Sequence, residues 1–114
     1  MRILLIDDTR DTTVVMRILL ERLGFEVEAA ADAKRGLELA NSFAPDVVCV
    51  DIGLPSMDGY DVARRIRQNP RLKSSRVIAI SGYAPNEARV AESGIDTYLI
   101  KPASLSQIVM ALHN

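Results

Sequence analysis

Five short runs of apolar, mostly branched residues punctuate the chain: Ile3-Leu4-Leu5-Ile6, Val27-Glu28-Ala29, Val47-Val48-Cys49-Val50, Val77-Ile78-Ala79-Ile80 and Tyr98-Leu99-Ile100. Runs of this length read as strands. After the second they are continuous rather than alternating, the pattern of strands buried on both faces of a parallel sheet. The segments between them predict helices over residues 11–23, 33–41, 59–67, 86–93 and 105–113. Local punctuation agrees: Gly24 and Gly94 stand where helices end, Asp32 and Asp58 where they begin, and Ser104 with Gln107 forms a capping-box pattern. Repeated strand-helix alternation with right-handed crossovers specifies a doubly wound, open parallel α/β sheet with helices on both faces. Such sheets bind ligands at the carboxyl ends of their strands, so those ends are where chemistry is expected.

Composition sets the class of protein that carries this sheet. A chain of 114 residues that is 48% hydrophobic makes one compact domain, residues 1–114, with an ordinary core. Its 14 basic and 15 acidic residues are interspersed, which argues against a direct nucleic-acid surface. No apolar run approaches a membrane span, the N-terminus is too short and too soon acidic for a signal peptide, and the single cysteine, Cys49, forms no intrachain disulfide. A cytoplasmic protein without membrane insertion is the expectation.

Polar residues at the strand ends fall on one edge: Asp7-Asp8 after the first run, Asp51 after the third, Ser81 after the fourth and Lys101-Pro102 after the fifth. Three carboxylates brought together repel one another, so they need protons, a cation or both. Hard oxygen ligands favour Mg²⁺, which keeps several waters and bridges carboxylate to phosphate. A serine hydroxyl and a lysine ammonium suit phosphoryl oxygens. The set therefore reads as a phosphoryl-transfer site with a carboxylate nucleophile.

Taken with Gly53-Leu54-Pro55, Asp58-Gly59 and Ser81-Gly82, these residues resemble the motif set of CheY-like response-regulator receiver domains, in order and spacing, over nearly the whole chain. The resemblance implies a flavodoxin-like (βα)5 fold with strand order 2-1-3-4-5. It implies a phosphoacceptor signalling domain of a two-component system rather than a conventional enzyme, one that catalyses its own phosphorylation and dephosphorylation. Asp7, Asp8, Asp51 and the carbonyl of Gly53 would hold Mg²⁺. Asp51 would take a phosphoryl group from a phosphohistidine on a histidine kinase or histidine phosphotransfer protein, and Lys101 would pair with it. Ser81 would turn toward it in concert with Tyr98, and a downstream effector or attached domain would read the change. The Lys101-Pro102 peptide is typically cis in this family. The segments from Asp51 to Pro55, Met57 to Tyr60 and Ser81 to Tyr83 are similar to receivers of hybrid sensor histidine kinases.

Two rival functions fit the sequence less well. An Mg²⁺ phosphatase of the haloacid-dehalogenase type wants an acid two positions after its aspartate nucleophile, where this chain has Gly53. A receiver fold that serves only as an interaction module is the other rival, and the intact motif set argues against it. Cys49 reads as an inert buried hydrophobe and His113 as a helix end. Arg64-Arg65-Ile66-Arg67 with Arg71 and Lys73 reads as a solvated face. On the first helix, Val15, Met16, Leu19, Leu20 and Leu23 are expected on the core side, with Val14 and Ile18 opposite. Those two outward residues suggest a docking patch for the helix that presents phosphohistidine, although single exposed apolar residues often carry no function. The fourth helix, with only Ala88, Val90 and Ala91 apolar in its middle, is expected to be weakly anchored and movable.

Overall fold

A computed structural model describes residues 1–113 of the chain. Its elements alternate strictly: β1 (Arg2–Ile6), α1 (Arg10–Arg22), β2 (Glu26–Ala30), α2 (Ala33–Phe43), β3 (Val47–Asp51), α3 (Gly59–Gln68), β4 (Arg76–Ser81), α4 (Glu87–Ser93), β5 (Thr97–Ile100) and α5 (Leu105–Leu112). All strand pairings are parallel and the sheet order is β2-β1-β3-β4-β5, as expected. Each expected element is present to within two residues at either end.

Strand side chains alternate across the sheet, and the alternation separates two cores. Ile3 and Leu5 of β1, Val47 and Cys49 of β3 and Ile78 of β4 pack with Leu20 of α1 and Ile108, Ala111 and Leu112 of α5. Leu4, Ile6, Val48, Val50, Val77 and Ala79 face the other way, onto Ala33 and Ala40 of α2 and Tyr60, Val62, Ala63 and Ile66 of α3. Every residue of β3 is buried, which is why its sequence is an unbroken apolar run up to the carboxylate that ends it.

Helix ends follow the local code. Asp32, Asp58, Asn86 and Ser104 accept hydrogen bonds from the N–H three residues on, and Ser104 with Gln107 completes a capping box. Gly94 ends α4 with φ 78° and Gly24 follows α1 with φ 94°. The end of α2 was not signalled, because Ala44 takes the left-handed conformation there, φ 50°, without being glycine.

Two expectations about side chains are corrected. On α1, Leu20 is buried and Met16 and Leu19 are partly buried, but Val15 is 56% and Leu23 54% exposed. Val15 lies about 140° around the helix from Leu20, too far to share the line along which a helix rests on a sheet, and Leu23 lies past the last turn. On α3, Arg67 is not a solvated charge. Its guanidinium donates to the carbonyls of Lys73, Ser75 and Gly94 and to the Asp96 carboxylate, tying α3 to both ends of the β4-α4 unit. The neighbouring Arg65, Arg71 and Lys73 are exposed, as expected of a solvated face. Among the described residues no helix is long and apolar enough to cross a membrane.

Gly59 fixes how α3 approaches the end of β3. A Cβ there would lie 2.6 Å from the Asp51 carbonyl oxygen and 2.8 Å from the Ile52 Cα, while the Gly59 N–H donates to the Ile52 carbonyl at 3.0 Å. Glycine-to-alanine at an ordinary helical position stabilises by about 1 kcal/mol. Gly59→Ala is instead expected to destabilise by about 1–3 kcal/mol, because backbone rather than a flexible side chain must move, and urea denaturation reads the sign.

Candidate functional site

The carboxyl ends of β1, β3, β4 and β5 gather the polar residues singled out from the sequence. Asp51 ends β3 buried on the α1-α5 side, and its two oxygens have different partners. Oδ1 accepts the Gly53 N–H at 2.9 Å, and Oδ2 accepts from Lys101 Nζ at 2.9 Å. The same ammonium lies 3.5 Å from Asp7 Oδ2, while Asp7 Oδ1 accepts the Thr9 N–H at 2.8 Å. Asp7, Asp8 and Asp51 each offer a carboxylate oxygen, and these oxygens lie within 4.8 Å of one another. Asp8 is exposed and Asp7 partly buried, so solvent reaches the cluster from one side.

One ammonium faces three carboxylates here, which leaves the cluster short of positive charge. Burial alone would lower the pKa of Lys101, but the carboxylates of Asp51 and Asp7 outweigh it and hold the ammonium above its ordinary value. Lys101 is therefore a permanent cation at neutral pH. The residual negative charge and the grouped hard oxygens fit a divalent cation of the magnesium or calcium type.

Ser81 ends β4 in a buried position, and its Oγ accepts the Tyr83 N–H at 3.1 Å. Half-buried Tyr98 donates its phenol to the Tyr83 carbonyl at 2.9 Å, so both residues act on the same turn after β4. Burial, with the Tyr60 hydroxyl nearby, pushes the Tyr98 phenol above its usual pKa. The Lys101-Pro102 peptide is cis. A cleft of about 470 Å³ opens beside Asp51 between α1 and the start of α5, with Thr9, Thr12 and Thr13 on its wall and Met16, Cys49 and Ile108 in its floor. Burial raises the Cys49 thiol to about 12, which keeps it an inert part of that floor.

Residues 3–113 match the family model of the response regulator receiver domain. The chain belongs to the response-regulator receiver family. An uncharacterised 14.6 kDa protein of Leptolyngbya boryana is 35% identical over 96% of this chain and 85% of its own length. The DNA-binding dual master transcriptional regulator RpaA of Synechocystis is 33% identical over 95% of this chain, which spans only 46% of RpaA. A response regulator from Burkholderia pseudomallei, solved with a phosphorylated aspartic acid, a calcium ion and citrate, superposes with a TM-score of 0.89 at 27% identity, over 97% of this chain and 65% of that one.

Within this receiver domain, the strand-end residues Asp7, Asp8, Asp51 and Lys101 form one cluster, and Ser81 and Tyr98 meet at Tyr83. Gly53 lies beside Asp51 and donates its N–H to it. Val14 and Ile18 sit apart on the outer face of α1, exposed. Two residues assigned no individual role from the sequence, Tyr60 and Arg89, join α3 to α4. Tyr60 of α3 accepts the Asn86 N–H, and Arg89 of α4 stacks on its ring; neither carries a motif signal beyond the Asp58-Gly59 that precedes Tyr60.

Crowded like charges make a test of the cluster that needs no phosphoryl donor. Asp8→Asn is expected to raise the melting temperature of the metal-free protein by about 2–5 °C in chelator and to weaken the further rise on adding Mg²⁺. An unchanged response to Mg²⁺ would remove Asp8 from the metal site.

Proposed function

We propose that the chain, with residues 1–114 acting as one receiver domain, accepts a phosphoryl group onto Asp51 from a phosphohistidine of a histidine kinase or histidine phosphotransfer protein. The observation that carries this reading is Lys101 Nζ, set 2.9 Å from the buried Asp51 carboxylate beside Asp7 and Asp8. The Gly53 N–H pins Oδ1, so Oδ2 is the oxygen placed next to a cation able to pair with incoming phosphoryl oxygens. Asp51 attacks phosphorus, the bond from phosphorus to the imidazole nitrogen breaks with its electron pair going to the histidine, and an acyl phosphate forms.

Mg²⁺, held by Asp7, Asp8, Asp51 and the Gly53 carbonyl, would supply charge neutralisation between these carboxylates and the phosphoryl oxygens. The chain's own residues do the rest. Lys101 balances charge, and Ser81 releases the Tyr83 N–H and donates its hydroxyl to the phosphoryl group. Tyr98 then gives up the Tyr83 carbonyl and the face formed by α4, β5 and α5 is reshaped for an effector protein or attached domain. Two-component signalling of this kind places the chain in the cytoplasm. The absence of an acidic side chain at Gly53, where a phosphatase needs an acid, supports a domain that holds the phosphoryl group rather than one that turns over phosphate esters.

Incubation with acetyl phosphate and Mg²⁺ is expected to retard the protein on a Phos-tag gel, and Asp51→Asn to abolish the shift. An unshifted wild type would favour a receiver fold that works only as an interaction module.

Docking of the donor is assigned to the outer face of α1. Val14, Val15 and Ile18 are each about half exposed there, in the middle of the helix, and form one apolar patch. Val14→Glu combined with Ile18→Lys is expected to slow transfer from the cognate donor at least tenfold while leaving acetyl phosphate labelling normal. Equal transfer rates would rule the patch out.

A further inference from the structure

Helix α4 buries almost no apolar surface: Ser93 is its only fully buried residue and Val90 is partly buried. It is nevertheless held, by polar contacts to the start of α3. Arg89 donates to Asp58 Oδ2 at 2.8 Å, lies 3.9 Å from Asp61 Oδ1, and stacks its guanidinium 4.4 Å from the centroid of the Tyr60 ring. Tyr60 in turn accepts the N–H of Asn86, the residue that caps α4, at 3.0 Å. Both ends of the contact are anchored. Asp58 caps α3 through the Asp61 N–H, and the next residue, Gly59, is bonded to the Ile52 carbonyl beside Asp51.

From this arrangement we infer that Arg89 is a latch that sets how readily the domain adopts its phosphorylated conformation. The inference rests on the phosphoacceptor reading of Asp51. The turn from Ser81 to Asn86 is tied down at both ends: Tyr83 is bonded through its N–H to Ser81 and through its carbonyl to Tyr98, and Asn86 is bonded to Tyr60. For the Ser81 hydroxyl to turn toward a phosphoryl group, Tyr83 must be released and this turn must move. Arg89 opposes the movement by holding the helix that follows the turn against Asp58 and Tyr60. Arg89 touches neither Asp51 nor Lys101 and acts only as a positioning residue.

A ligand that binds the rearranged state better gains apparent affinity when the competing state is weakened. Arg89→Gln is therefore expected to bind beryllofluoride with Mg²⁺ about two- to five-fold more tightly than wild type by calorimetric titration. In the absence of beryllofluoride, the same variant should show faster amide exchange across residues 87–93. Asp58→Asn, which keeps an oxygen for the α3 cap but removes the charge, should act in the same direction, and Arg89→Lys should lie closer to wild type. Loss of stability without a gain in beryllofluoride affinity in both Arg89→Gln and Asp58→Asn would reduce Arg89 to a structural contact and overturn the latch. Failure of the wild type itself to bind beryllofluoride would overturn the phosphoacceptor reading and the latch with it.

Discussion

A strand buried along its whole length but ending in a carboxylate is an electrostatic problem, and β3 poses it at Asp51. A carboxylate at the edge of a low-dielectric core needs hydrogen bonds and cations to replace the water it has lost. The Gly53 N–H takes one oxygen and the Lys101 ammonium the other. Lys101 reaches Asp51 because β5 runs parallel to β4 and β4 to β3, so that all the relevant strands end on the same edge. The parallel topology is thus also what assembles the site. It brings Asp7 and Asp8 beside Asp51 and leaves more negative charge than one lysine balances, the condition in which a divalent cation is favoured.

Packing around that edge is uneven, and the unevenness bears on signalling. The α2-α3 side is tightly filled, to the point that α3 meets the end of β3 where only glycine fits. The α1-α5 side carries a cleft beside Asp51 and an exposed apolar strip on α1. The α4 segment is attached by ionic, cation–π and hydrogen-bonded contacts rather than by a buried apolar face. Contacts of this sort have sharp geometric requirements and small displacement breaks them, unlike apolar packing, which is non-directional. A helix held in this way is suited to have two positions. The sequence-based expectation of low apolar burial in α4 holds, and its anchoring is polar rather than absent.

Much of the fold was legible because it depends on short-range patterning. Continuous apolar runs announced buried parallel strands, Asp32, Asp58, Ser104 and Gly94 marked helix ends through local hydrogen bonding and backbone preference, and the five-fold alternation specified a doubly wound parallel sheet, the strand order itself coming from the family resemblance. Less legible was anything that depends on which neighbour a side chain meets. Val15 and Leu23 looked like core residues because helical periodicity gives angle but not the width of the contact with the sheet. Arg67 looked solvated because the carbonyls that receive it, those of Lys73 and Ser75 in the loop after α3 and of Gly94 after α4, turn back onto the helix only in the folded chain.

The division for the site is similar. Residue identity alone determined which chemistry was available: three carboxylates, a lysine and a serine, each directly after an apolar strand, with no acid at Gly53. Only the tertiary structure decided which oxygen of Asp51 faces Lys101, that Ser81 and Tyr98 converge on the same residue, Tyr83, and that Arg89 joins α4 to the cap of α3 across 31 positions of sequence. The reason is physical. Strand and helix signals are written in near neighbours along the chain, whereas a salt bridge or a stacked guanidinium is made by groups that approach only after the sheet has closed, and nothing in their local sequence specifies the partner.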